Sequence, residues 1–338
     1  MNKLNDQLSI CKKCVLPANF PGVHFDDKGI CNYCSSITAQ SHRDESTRFR
    51  KRFEDLLLEY QNKHSYDALM CYSGGKDSTY TLKILREKYG LRILAITFDN
   101  GFIAEQARIN IETVVEKLGV DHIYLKPRFD ILSKIFASCA DNDVFPLKTA
   151  ERASMICTAC MSILKFSALR LAVEKYIPFI AFGWSPGQAP ITSSIMKNNP
   201  TMVKSMQKAV YDPLYKVTGN DIRPYFLEPE YFDDPKRFPY NVHPLAFLDY
   251  REEDIYTSIH FLGWKAPEDV DPNSTNCLLN SFGNSVHKKR FGFNPYTFEL
   301  AGLVREGYLD RDVAIKRLKT EEDPKIVKQV KHRLGLND

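Results

Sequence analysis

The stretch YDALMCYSGGKDS, residues 66–78, constrains the fold more than any other part of the chain. Its apolar run from Tyr66 to Tyr72 has strand length and stops at two glycines, and an amphipathic helical pattern begins directly after them. Strand, glycine turn and helix in that order bring backbone N–H groups and the positive end of a helix to one point, which favours a bound phosphate. Lys76 adds a point charge, Ser73 and Ser78 add hydroxyls, and Asp77 can hold Mg²⁺ or cap the helix. A turn that only connects two elements has no need of Ser, Lys, Asp and Ser together. The stretch is not a Walker A loop, because GxxxxGK[ST] is absent.

The pattern around this loop alternates. Apolar strand-like runs at 92–98, 122–126 and 178–183 are separated by helical spacing at 103–118, about 130–139 and 159–176. Such alternation predicts a doubly wound parallel α/β sheet covered on both faces. With 43% hydrophobic residues over 338 positions, the chain can bury a full core. Residues 44–64 space Phe49, Phe53, Leu56, Leu57 and Tyr60 as a connecting helix. Beyond about 190 the signal weakens into a Pro- and aromatic-rich region whose aromatics read as core or lid. A helix from Glu252 to about Leu262, a polar loop and helices between 295 and 334 follow. The expected organisation is a metal-binding arm (1–38), a connecting helix (39–64), a catalytic domain (65–290) and a mainly helical C-terminal extension (291–338).

The formal charge of +4 is spread along the chain and gives no dense basic stripe for nucleic acid. No apolar run approaches the length of about 20 residues that spans a bilayer, and the start, MNKLNDQLSICKKC, is too polar for a signal peptide. The expectation is a cytoplasmic protein without membrane partners, in which nine cysteines are metal ligands more than disulfides. Cys11-x2-Cys14 and Cys31-x2-Cys34 have zinc-ribbon spacing, so four thiolates can close a structural Zn²⁺ site; His24 lies between the pairs but is not needed. Cys71 and Cys139 lie in apolar runs and read as packing residues.

The loop Ser73-Gly74-Gly75-Lys76-Asp77-Ser78 resembles the PP-loop, SGGxDS, of the ATP pyrophosphatase family. That resemblance implies an adenine nucleotide alpha hydrolase-like fold and ATP as cosubstrate. The loop would hold the β- and γ-phosphates with Mg²⁺ while a substrate oxygen attacks the α-phosphorus. Pyrophosphate then leaves, and a nucleophile displaces AMP. The resemblance also implies that Phe98 and Asp99, at the end of the second strand, meet the adenine, and that Gly183 lines the nucleotide site. At Trp184 and Ser185 the chain departs from the family, where acidic residues follow the glycine.

Cys157 and Cys160 stand at the start of a long helical pattern, and two thiolates there are well placed to bind a metal, but one pair cannot fill a site. The order CxxC, then His243-Pro244-Leu245 leading to an acidic helix, then lone Cys277, looks like the PP-loop enzymes that thiolate tRNA bases. In that group three cysteines hold a [4Fe–4S] cluster with one open iron. A persulfide relay, or plain burial of the three, are the other readings. Two chemistries therefore fit the same ATP half-reaction. In one, sulfur replaces a heterocyclic carbonyl oxygen of a small molecule, nucleotide or tRNA, supplied by sulfide or a donor protein. In the other, ammonia from a glutaminase partner replaces it. CKKCVLPANFPGVHFDDKGICNYC and the stretch from Phe291 to Gly307 resemble the N-acetyl sugar amidotransferases of surface-polysaccharide synthesis, which favours ammonia. The cysteine trio favours sulfur. A homodimer is the expected assembly.

Overall fold

The computed structural model describes residues 9–35 and 39–336; residues 1–8 and 36–38 of the expected arm lie outside the described part. In chain order its elements are α1 (Asn32–Ser35), α2 (Ala39–Tyr60), β1 (Ala68–Cys71), α3 (Lys76–Lys83), β2 (Ile93–Phe98), α4 (Glu105–Leu118), β3 (Asp121–Leu125), α5 (Phe129–Asp141), α6 (Met155–Glu174), β4 (Phe179–Phe182), β5 (Ile195–Lys197), α7 (Pro200–Thr218), β6 (Tyr240–Val242), α8 (Glu252–His260), α9 (Leu279–Phe291), α10 (Thr297–Arg305), α11 (Arg311–Lys319) and α12 (Pro324–Leu334).

The six strands form one sheet in the order β3-β2-β1-β4-β6-β5, parallel except for the edge strand β5. Leu69 of β1 pairs with Leu94 of β2 on one side and with Ile180 of β4 on the other. Every residue of β1, β2 and β4 is buried, as strands covered on both faces require. The pleat sends Met70, Ala95 and Ala181 to one core, shared with Phe53 of α2, Ile111 of α4 and Ile255 of α8. It sends Leu69, Ile96 and Ile180 to the other, shared with Ile135 of α5, Ile163 of α6 and Leu214 of α7. Cys71 and Cys139 sit in this second core as packing residues. Phe226, Phe232 and Phe238 join them there, so the aromatics of that region are core.

The order in which strands are added reverses between the parallel neighbours β1 and β4: β2 and β3 lie on one side, β6 and β5 on the other. In a doubly wound sheet that point opens a crevice at the carboxyl ends of the strands. The glycine loop follows β1 and Gly183 follows β4, so both stand at its mouth.

The structure differs from the sequence expectations in three places. Helix α6 is apolar on nearly all sides, because the sheet and α5, α7 and α9 surround it. By length and composition it is apolar enough to cross a membrane, contrary to the sequence expectation, yet it packs as a core helix. Helices α7 and α9 stand where only irregular chain was expected. Asn199 caps α7 by accepting from Met202 N, and Pro200 follows at the first turn, but Pro213 inside the helix obscured the pattern. In α9 the run LNSFGNSVHKKRF has weak helix formers, and packing on α6 and α12 overrides them.

Candidate active site

Backbone sterics shape the glycine loop. Gly74 has φ +75, and a Cβ there would lie 2.6 Å from Ala107 O and 2.7 Å from Ile111 Cγ1. Gly183 is the matching contact from β4, where a Cβ would come within 2.3 Å of Ser78 Cα. Only glycine lets the two strand ends close on the start of α3. The indole of Trp264 donates to Gly74 O (2.8 Å), Ser73 Oγ contacts Ser78 Oγ (3.0 Å), and Ser78 Oγ donates to Gly75 O (3.1 Å). Gly75 is the N-cap of α3 without a side-chain cap. The Lys76 N–H instead donates to Thr275 Oγ1 at 3.1 Å, from a segment 199 residues away.

Lys76 is buried, and its ammonium contacts Asp77 Oδ1 (2.8 Å), Tyr250 Oη (2.9 Å) and Glu252 Oε1 (3.1 Å). Burial works to lower the Lys76 pKa, but Asp77, Tyr250 and Glu252 overcome it and hold the amine charged well above its ordinary range. Burial likewise works to raise Glu252, while Arg317 and Lys76 pull it down to about 2. Glu252, at the start of α8, faces the loop lysine, and Arg317 of α11 grips it with both terminal nitrogens.

The cleft above the loop is lined by Lys76, Asp77, Tyr250, Glu252, Thr275 and Glu299, among others. Glu299, from α10, accepts from Ser185 Oγ at 2.6 Å. The carboxylate missing after Gly183 in the sequence is thus delivered to Ser185 from another helix. Burial pushes Glu299 up to about 7. Trp184 stacks on His243, 4.4 Å between centroids and 5° between planes, with Lys165 Nζ over its ring. On the β2 side Asp99 is buried; burial works to raise it, but the Gly101 amide, Lys126 and Arg108 hold it below the usual carboxylate range. Phe98 is buried at the end of β2. Of the other cations near this edge, Arg152 lies over the Phe298 ring and Lys148 is exposed.

The three later cysteines meet on the far side of the same crevice. Ser154 caps α6 by accepting from Cys157 N, so Cys157 and Cys160 occupy its first turns. Cys277 bridges to Ile103 just beyond β2, with Ala104 N–H donating to Asn276 O and Leu278 N–H to Phe102 O. One amide nitrogen, Asn100 Nδ2, contacts both Cys160 Sγ (3.5 Å) and Cys277 Sγ (3.4 Å), while Asn280 Nδ2 reaches Cys157 Sγ at 3.7 Å. Among the described residues no lysine or arginine hydrogen-bonds any of these sulfurs. Burial pushes Cys157 up to about 11 and raises Cys160 and Cys277 as well.

Cys11, Cys14, Cys31 and Cys34 are buried with all four sulfurs within 4.8 Å of one another. Contacts of 3.9 Å (Cys11 to Cys34) and 3.7 Å (Cys14 to Cys31) match the edge of roughly 3.8 Å in a tetrahedron with metal–sulfur bonds of about 2.3 Å. The four residues fit one tetrahedral ion. Among the described residues this is the one group of acid, thiol or imidazole ligands close enough to hold a single ion.

Asn100, Asn280, Thr275, Glu252, Arg317 and Glu299 escaped the sequence reading. Only the acid opening α8 carried a local signal, since the others act from segments distant in sequence.

No protein-family model matches the chain. It is 22% identical to an uncharacterized protein of Methanocaldococcus jannaschii over 315 residues, 93% of this chain and 94% of that one. Its fold is similar to that of the U34-tRNA thiolase NcsA from Methanococcus maripaludis with its [4Fe-4S] cluster (18% identity, 98% and 99% of the two chains, TM-score 0.36). It is also similar to NMN synthetase from Francisella tularensis (13% identity, 90% and 98%, TM-score 0.38).

Proposed function

We propose that the chain is an ATP-dependent adenylating enzyme of the PP-loop type that replaces a carbonyl oxygen of a heterocyclic acceptor by sulfur. The observation that carries this reading is the segment from Asn273 to Cys277. Thr275 touches the phosphate loop at Lys76 N, and two residues later Cys277 shares an amide donor with Cys160. A phosphate site and a sulfur site are thereby neighbours across one short loop.

In this reading Ser73 to Ser78 bind the β- and γ-phosphates of MgATP, with Asp77 as a ligand of Mg²⁺. Glu299 and Ser185 face the same cleft, and Phe98, Asp99 and Gly183 border the nucleotide. The acceptor's carbonyl oxygen attacks the α-phosphorus and the bond to pyrophosphate breaks. Sulfide then adds to the activated carbon, and AMP leaves with the former carbonyl oxygen. With sulfide as donor no oxidant or reductant is consumed. Cys157, Cys160 and Cys277 would hold a [4Fe–4S] cluster, which supplies an open iron to carry sulfide. Their setting supports a cluster over a persulfide relay: the sulfurs are met by the neutral amides of Asn100 and Asn280, which do not favour a reactive thiolate as a cation would. The four N-terminal cysteines would hold Zn²⁺. A small or nucleotide acceptor, or tRNA, fits this chemistry, and reduced thiols fit the cytoplasm.

Anaerobic purification with iron, sulfide and zinc analysis tests the reading, alongside ATP–pyrophosphate exchange. About four iron and one zinc per chain are expected, with iron lost in Cys277→Ala and zinc kept. Zinc without iron after anaerobic reconstitution, with exchange intact, would transfer the reading to ammonia as nucleophile and a glutaminase partner. The two stretches resembling the sugar amidotransferases do pack on each other, Phe20 against Phe293 and Phe298, with Asn19 Nδ2 donating to Gly292 O.

A further inference from the structure

We propose that the N-terminal four-cysteine arm acts on the phosphate loop: it fastens α11 in place, and α11 uses Arg317 to balance the charge around Lys76. The proposal rests on the reading of Ser73–Ser78 as an ATP phosphate site.

Arg311, at the start of α11, donates from Nε to Cys14 O (2.9 Å) and from Nη2 to Cys11 O (3.0 Å). Both acceptors belong to one metal-binding knuckle, so the two carbonyls face one guanidinium only while the knuckle is folded. Arg305 of α10 adds a second fastening, with Nη1 3.8 Å from Cys14 Sγ and its guanidinium over the Tyr33 and Phe298 rings. Six residues after Arg311 on the same helix, Arg317 holds Glu252 with both terminal nitrogens, and Glu252 in turn contacts Lys76 Nζ. The side chains of Lys76, Glu252 and Arg317 are all less than a quarter exposed, so solvent screens them weakly.

The charge count gives the contact its meaning. Lys76 faces two carboxylates, Asp77 and Glu252. With Arg317 in place the group is neutral; without it, carboxylates outnumber cations where a polyphosphate must bind. Asp99 has its own cations, Arg108 and Lys126. Among the described residues the cation paired with Glu252 besides Lys76 is Arg317, and α11 is held to the arm through Arg311. Arg317 is a positioning residue: it acts on ATP through Glu252 and Lys76.

The test is MgATP affinity measured by calorimetry on the full, metal-loaded chain, with zinc content determined for each variant. Arg317→Met should weaken binding about tenfold. Adding Glu252→Gln to Arg317→Met should restore affinity to within about threefold, since it removes the uncompensated carboxylate; a merely structural role would give a further loss. Arg311→Ala, which touches nothing in the cleft, should weaken ATP in the same direction with zinc retained. The Arg311→Ala, Arg317→Met pair should be no worse than Arg317→Met alone. Arg317→Lys, which keeps the charge and the fold, should bind nearly as the parent does. Unchanged affinity in Arg311→Ala, losses that multiply in the pair, or no rescue by Glu252→Gln would overturn the proposal. A parent protein that binds no ATP would instead remove the phosphate-site reading beneath it.

Discussion

The chain carries two sets of cysteines that begin with the same CxxC spacing and end in different environments. The N-terminal four are buried, mutually within single-ion distance, and fastened from outside by Arg305 and Arg311. The later three are half-buried and met by neutral amides. A closed four-thiolate shell leaves a metal no vacancy for substrate, whereas three thiolates leave one. Identical local spacing therefore yields an anchor in one place and a candidate reaction centre in the other. What differs is the fourth ligand and the company the sulfurs keep.

Substitutions in the two sets should have opposite consequences. Cys160→Ala should cost turnover on the order of 10³-fold or more while leaving zinc and folding intact. Cys14→Ser should lose the arm's metal and destabilise the fold by several kcal/mol. Metal analysis, calorimetric unfolding and product formation on both variants check the pair; equal loss of fold in both would erase the distinction. Next in size is Gly74→Ala, which leaves every cysteine in place but disturbs the phosphate side. A left-handed residue costs about 1–2 kcal/mol and overpacking against Ala107 and Ile111 about 1–3 more, so ATP binding should disappear while iron and zinc stay.

Glu299 gives a pH test between the two regions, since α10 touches the arm with Phe298 and the cleft with Glu299. Its folded pKa of about 7 lies above the ordinary 4.5, so the fold binds its proton more tightly than the unfolded chain does. That stability is fully present below pH 4.5 and is lost as pH rises through about 7. The loss is up to about 3 kcal/mol. Urea unfolding of the wild type and of Glu299→Gln across that range should show the dependence only in the former. Smaller still, Asn100→Ala removes one donor shared by two sulfurs. It should shift the potential of a bound cluster to more negative values, read by redox titration, at a stability cost of about 1 kcal/mol. Least of all, His24→Ala should leave zinc content unchanged; its backbone N–H bonds Asn32, and the four sulfurs already close the site.

Legibility from sequence followed the range of the forces. The loop Ser73–Ser78 was readable because steric demands at Gly74 and the helix start act within a few residues. Strands β1, β2 and β4 were readable because burial on both faces leaves continuous apolar runs. Helices α7 and α9 were not, because Pro213 in one and the Asn, Ser and Gly of the other hide a helix that packing enforces. The same Asn-rich run of α9 supplies Asn280 to Cys157, so weak local propensity there coincides with a contact at the site. Glu252 carried no local sign of its partners, because an acid at a helix start needs none; those partners, Lys76 and Arg317, lie 176 and 65 positions away.

By itself the sequence determined which chemistry-bearing groups exist and which short motifs they form: a phosphate-type glycine loop, a four-cysteine metal arm, a separate CxxC, and the alternation that builds a parallel sheet. These follow from backbone sterics, side-chain periodicity and ligand spacing, all local properties. Only the tertiary structure decided that Cys277 joins Cys160 through Asn100, that Thr275 caps the phosphate loop, and that a carboxylate reaches Ser185 from α10. It also brought Arg311 to the carbonyls of Cys11 and Cys14, and Arg317 of the same helix to Glu252. Charges and hydrogen bonds act across space and ignore chain distance, so their pairing is set only once the sheet and its covering helices have brought distant segments together.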